Sequence, residues 1–129
     1  MLLHVIIDGR NVMRSRWPNV GERELVEAVA RWSAAHARTP IVAVVFDGTY
    51  EGDGPGMYEH DERTVVVATK GEIADDVIAR EVEELRAELE PVIVATSDRE
   101  LRARVEAHGA KVIGGGSFLQ TVIPDTQRS

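Results

Sequence analysis

Four short apolar runs rich in Val and Ile, at Leu2 to Ile7, Ile41 to Phe46, Thr64 to Ala68 and Val92 to Ala95, constrain this chain more than any other feature. Runs of this length with no polar alternation read as strands buried on both faces. Longer stretches of helical period separate them, which marks βα units around a parallel sheet. A fifth run, Ala110 to Ile113, is shorter and weaker.

The helical stretches have clear inward faces. Leu25, Val26, Val29, Trp32 and Ser33 recur at helical spacing, with Glu22, Glu24, Glu27 and Arg31 on the other side. From Glu72 to Leu89 the positions Ile73, Val77, Ile78, Val82, Leu85 and Leu89 repeat the pattern, and Pro91 stops it. Ser97 and Glu100 have the S-x-x-E spacing of a capping box, so a third helix is expected to start near Ser97, present Leu101 and Val105 inward and end before Gly109. Gly114 to Gly116 leads into a last short helix around Phe118 to Val122. The stretch from Gly48 to Arg63 carries no clear period and reads as a long loop.

At 129 residues the expectation is one domain over residues 1–129, with 123–129 as a flexible tail. Short right-handed crossovers favour a mainly parallel five-stranded sheet in the order 3-2-1-4-5, with helices on both faces. The chain then reverses direction between strands 1 and 4, and ligands of open α/β sheets bind beyond the carboxyl ends of the strands at such a point. Asp8 and Asp98 fall there.

Composition narrows the chemistry. The chain has no cysteine, so disulfides and thiolate-bound zinc are excluded and any metal site must use oxygen or imidazole ligands. A net charge of −7 argues against a broad basic face for nucleic acid, but it suits a site where carboxylates gather around divalent cations. The run Leu2 to Ile7 is too short to span a bilayer and ends in Asp8-Gly9 instead of a small-residue cleavage site. No signal peptide or membrane anchor is expected, and a cytoplasmic setting is the simplest fit.

Asp8 ends the first run, Asp47 the second, and Asp98 follows the fourth, so three strand ends offer an aspartate at one edge of the sheet. Asp75 and Asp76 lie at the start of the second helix, near the same edge. Each acid has a bland explanation: Asp47-Gly48 is an ordinary turn opener, and Asp98, Glu72, Asp75 and Asp76 suit the positive ends of helix dipoles. The combination is harder to dismiss, because clustered anions raise one another's pKa at a cost in stability that hydrogen bonds or a cation must offset. Oxygen ligands without Cys or a paired His motif suit Mg²⁺ or Mn²⁺, and such ions suit phosphoester chemistry.

The segment after Asp8 places Arg10, Arg14, Arg16, Asn11 and Trp17 nearby. Guanidinium groups bind phosphate, and indole or guanidinium planes stack on unpaired bases. Asn11 is placed to orient Asp8 or a metal-bound water. His4, His36 and His108 read as structural, while His60 in the long loop is a weaker functional candidate. No dinucleotide or Walker loop appears, and Ser97 lacks an obvious histidine partner for a serine hydrolase.

Val5-Ile6-Ile7-Asp8-Gly9-Arg10-Asn11-Val12 resembles the D-G-x-N opening of NYN domains, and Val45-Phe46-Asp47-Gly48 their second strand. Glu72-Ile73-Ala74-Asp75-Asp76-Val77-Ile78 resembles their A-D-x-x-I helix start, and Val94-Ala95-Thr96-Ser97-Asp98 their T-S-D strand end. Gly109-Ala110 followed by Ser117-Phe118-Leu119 also fits, and the likeness is greatest to the YacP-like branch. The resemblance implies a three-layer α/β/α PIN-like fold and an endoribonuclease dependent on Mg²⁺ or Mn²⁺. It implies Asp8, Asp75 and Asp98 as metal ligands, with Asn11 and Ser97 in support and Asp76 and Asp47 as further additions. Single-stranded RNA is the expected partner, and a homodimer or a ribosome contact is left open.

Two other classes compete. An aspartate-nucleophile phosphohydrolase needs a second acid two residues after the first, where this chain has Arg10. A PIN-like module that binds RNA or protein without catalysis would have no reason to carry the repulsion of the acids.

Overall fold

A computed structural model describes residues 1–124. The first strand, β1 (His4–Asp8), pairs in parallel with β2 (Ile41–Asp47) on one side and β5 (Val92–Ala95) on the other. Outside β2 lies β4 (Thr64–Thr69), and outside β5 lies β6 (Lys111–Ile113), both parallel to their neighbours. These five strands follow the expected order. A sixth, β3 (Gly56–Glu59), adds an antiparallel edge to β4, so the sheet runs β3-β4-β2-β1-β5-β6.

β3 corrects the reading of residues 48–63 as loop. Three of its four residues are exposed and it packs through Tyr58 alone, so no alternation marks it in the sequence. Its backbone pairs with the edge of β4 across a turn in which the Asp61 carboxylate accepts from the Arg63 and Thr64 amides, at 2.9 and 2.8 Å.

Among the described residues five helices cover the sheet. On one face lie α1 (Gly9–Met13), α2 (Glu22–Ala35) and α5 (Gly115–Val122), over a core that includes Val5, Ile7, Val44, Phe46, Leu25, Val29 and Phe118. The other face carries α3 (Ala74–Ala87) and α4 (Arg99–Glu106), over Ile6, Val45, Val94, Ile78, Val82 and Leu101. Each fully buried Val, Leu, Ile or Phe contributes about 1.5–3 kcal/mol by leaving water. The alternation is strict along β1, where Val5 and Ile7 point to one layer and Ile6 to the other.

Four local expectations shift. Helix α1 occupies the start of the segment after Asp8, where no helical period was read, and α5 begins at Gly115, ahead of Phe118. Helix α4 is capped by Asp98, whose carboxylate accepts from the Leu101 amide at 2.9 Å, and not by Ser97. Ile123 is buried and its amide donates to Leu119 at 2.7 Å, so it belongs to the packed body, while 125–129 of the expected tail lie outside the described residues. Among the described residues no helix is long and apolar enough to cross a membrane.

Gly9 is the position where β1 can turn directly into α1. A Cβ there would lie 2.4 Å from Cε1 of Phe46 and 3.0 Å from the Val45 carbonyl oxygen. Close approach of the Phe46 ring, not an unusual φ, requires glycine. Gly9→Ala is therefore expected to cost about 1–3 kcal/mol through forced repacking, read from urea unfolding. Gly54→Ala, where a Cβ meets nothing within 4 Å, serves as the reference, and equal losses in the two variants would refute the steric account.

Candidate active site

The parity that buries Ile6 against α3 and α4 also sends Asp8 toward that face, at the carboxyl end of the central strand. Asp47 shares the face of Val45 at the end of β2, and Thr96, just past β5, shares that of Val94. Parallel pairing brings these ends together, with Ile7 opposite Ala95 and Asp8 opposite Val45. Asp75 joins them from the first turn of α3, and Asp98 from the N-cap of α4.

Asp8 is the most enclosed of the group, at 7% exposure. Burial pushes its carboxyl up to about 6, the hydrogen bond from Thr96 opposes this, and the charges of Asp75, Asp98 and Asp47 add to the rise. Asp75 is also raised, first by burial and then by Asp98 and Asp47, with Arg104 acting against them. The acids therefore feel one another across a shared space. They do not form a finished cage: among the described residues no three Asp, Glu or His side chains converge as metal ligands.

The remaining candidates divide by what already holds them. Asp47 accepts from the Ala74 amide at 2.5 Å, which fixes the start of α3 beside the site. Asp76 turns outward to Arg104, 2.8 Å away, and ties α3 to α4. Arg10 pairs with Glu22 at 2.8 Å, donates to the Thr49 carbonyl at 3.1 Å and covers the Phe46 ring, so its guanidinium is a structural anchor. Arg16 donates to the Ile123 carbonyl at 2.7 Å and to Gln120, clamping the α1–α2 connection onto α5. Arg14 is exposed, and Trp17 is 87% exposed. His60 neighbours Thr64 in the β3–β4 turn, at the opposite edge of the sheet from Asp8.

Asn11 does not reach back to Asp8. Its side-chain oxygen accepts from the Ser97 amide at 2.8 Å, while the Ser97 hydroxyl accepts from the Gly115 amide, also at 2.8 Å. Thr96 was not singled out by sequence reasoning, yet it is fully buried and its hydroxyl donates to Oδ2 of Asp8 at 2.8 Å and accepts from the Asp98 amide at 3.1 Å. A hydroxyl ending an apolar strand two residues before an acid was the available signal. Asp8 and Asp98 are thus joined through one threonine.

The donor set fits a hard divalent cation. Asp8, Asp75 and Asp98 offer carboxylate oxygens, and Thr96 and Leu101 each engage one oxygen of Asp8 and Asp98, respectively. Mg²⁺ commonly takes one or two carboxylates and keeps several waters, so a preformed cage is not required.

The YacP-like NYN domain family matches residues 5–128. The chain belongs to this family, one of nucleases. Two crystal structures of YacP (Rae1) from Bacillus subtilis share the fold. The chain aligns over 99% of its length with both, at TM-scores of 0.66 and 0.62 and identities of 22% and 24%, spanning 79% and 76% of those chains. A stretch of 95 residues, 70% of this chain, is 27% identical to part of the sensor protein GacS from Pseudomonas syringae pv. syringae. The chain spans only 10% of that relative's length.

A carboxyl group raised from 3.8 to about 6 contributes stability that is complete below 3.8 and is lost as pH rises through about 6. The loss is about 3 kcal/mol. Asp8→Asn is accordingly expected to unfold at higher urea concentration than the parent at pH 7.5 in EDTA, with the gain shrinking toward pH 4. A variant no more stable at pH 7.5 would show that the acid is not strained there.

Proposed function

We propose that this YacP-like NYN domain is a divalent-cation-dependent endoribonuclease that hydrolyses single-stranded RNA in a cytoplasmic setting. The observation that carries the reading is the gathering of Asp8, Asp75 and Asp98 at the sheet's switch point, where burial and mutual repulsion hold Asp8 near pH 6. Such strain is characteristic of functional sites.

Asp8, Asp75 and Asp98 would hold Mg²⁺ or Mn²⁺, with Asp47 occupied in fixing the start of α3 and Asp76 in tying α3 to α4 through Arg104. Such an ion would supply an activated water and would offset charge on a leaving phosphate-ester oxygen. Thr96 fixes one Asp8 oxygen and leaves the other available to the ion. Asn11 holds the Ser97 amide, and with it the turn that carries Asp98. Arg14 and Trp17, both exposed, would contact phosphate and an unpaired base, whereas Arg10 and Arg16 act by keeping the surrounding segment in shape.

Purified protein is expected to cut single-stranded RNA with Mn²⁺ or Mg²⁺ and to stop on chelation. Asp8→Asn should lower kcat by more than about 100-fold while remaining folded, and Trp17→Ala should raise KM about tenfold through lost stacking. Cleavage that persists in EDTA, or in Asp8→Asn, would sink the mechanism. A metal-independent RNA gel shift with no product under any divalent ion would identify a binding module instead.

A further inference from the structure

The start of α5 holds three consecutive glycines, Gly114, Gly115 and Gly116, each a poor helix former by about 0.5–1 kcal/mol relative to alanine. None has a positive φ, so backbone conformation does not explain them. Space separates them. A Cβ on Gly116 would meet only the Ser15 Cβ, at 3.9 Å, and one on Gly114 the hydroxyls of Ser97 and Ser117, at 3.7 and 4.0 Å. A Cβ on Gly115 would lie 2.7 Å from Oδ1 of Asn11, 3.3 Å from Oγ of Ser97 and 3.6 Å from the Asn11 carbonyl oxygen.

Neither polar neighbour can yield without a loss. The Asn11 oxygen accepts from the Ser97 amide, and the Ser97 hydroxyl accepts from the Gly115 amide itself. Ser97 lies between Thr96, which binds Asp8, and Asp98, which caps α4. We propose that Gly115 is a positioning residue of the carboxylate site, whose missing side chain lets α1, the Thr96–Asp98 turn and α5 close on one another. A side chain there moves the Asn11 amide off the Ser97 amide or lifts α5 off the Ser97 hydroxyl. Either displacement loosens the turn that sets Asp98 against Asp8. The inference rests on the proposed nuclease reading for its kinetic consequence, but its structural core does not.

The test is Gly115→Ala beside Gly116→Ala, with amide hydrogen exchange and RNA cleavage measured on each. Gly115→Ala is expected to speed exchange at the Ser97 amide about tenfold or more while the amides of β5 keep their protection. It should lower kcat about 10–100-fold with KM within about twofold, as loss of a group that orients ligands does. Gly116→Ala should leave both readouts at parental values. In an Asn11→Ala background, where the obstructing oxygen is gone, Gly115→Ala should add less than about a twofold effect. Unchanged Ser97 exchange in Gly115→Ala, or full additivity with Asn11→Ala, overturns the proposal. Should Gly115→Ala alone fail to fold, the double variant is expected to be soluble, and an insoluble double variant also overturns it. If the parental protein cuts no RNA, the nuclease reading fails while the exchange measurement still decides the role of Gly115.

Discussion

The pairing of β1 on both edges organises the molecule. A strand covered on two faces and both sides has no access to water, so its amides and carbonyls must be met by β2 and β5. Parallel registration then aligns the carboxyl ends of the three strands, and the side-chain alternation that buries Ile6 aims Asp8 at the same layer as Thr96 and Asp47. The grouping of acids follows from the pairing.

That grouping runs against stability. Asp8 sits where burial disfavours its charge and three other aspartates add to the penalty. The fold offsets part of this with ordinary hydrogen bonds: Thr96 to Asp8, Ala74 to Asp47, Leu101 to Asp98. Each bond also fixes an element, so the acids help build the frame that concentrates them. Helix α3 starts where Asp47 holds it, and α4 starts where Asp98 caps it. The proposed metal chemistry would use what remains of those carboxylates.

The apolar runs and the helical periods made the layered sheet, its strand order and the edge bearing Asp8 and Asp98 legible from the sequence, because burial on two faces leaves a strong compositional mark. Weakly patterned elements escaped. Strand β3 is exposed on most of its length and depends on the free edge of β4, and α1 is a single turn wedged under Phe46. Helix α5 begins in glycines that propensity assigns to a loop, because close packing on Asn11 and Ser97 outweighs propensity there. The arginines show the same limit: charge made Arg10, Arg14 and Arg16 alike in sequence, and only their partners separate two anchors from an outward-facing side chain.

By itself, the sequence determined the edge at which the acids lie, since strand ends and helix starts in a parallel α/β sheet share one edge whatever the details of packing. Tertiary structure alone decided what each group does there. Asp98 became a cap in place of Ser97, Asn11 turned to the Ser97 amide instead of Asp8, Thr96 became the link between two acids, and Gly115 acquired its steric constraint. The physical reason is the range of the interactions: alternation and period act along the chain, whereas a hydrogen bond between residues 11 and 97, or the crowding that would put a Cβ on residue 115 at 2.7 Å from the Asn11 side-chain oxygen, exists only once the layers close.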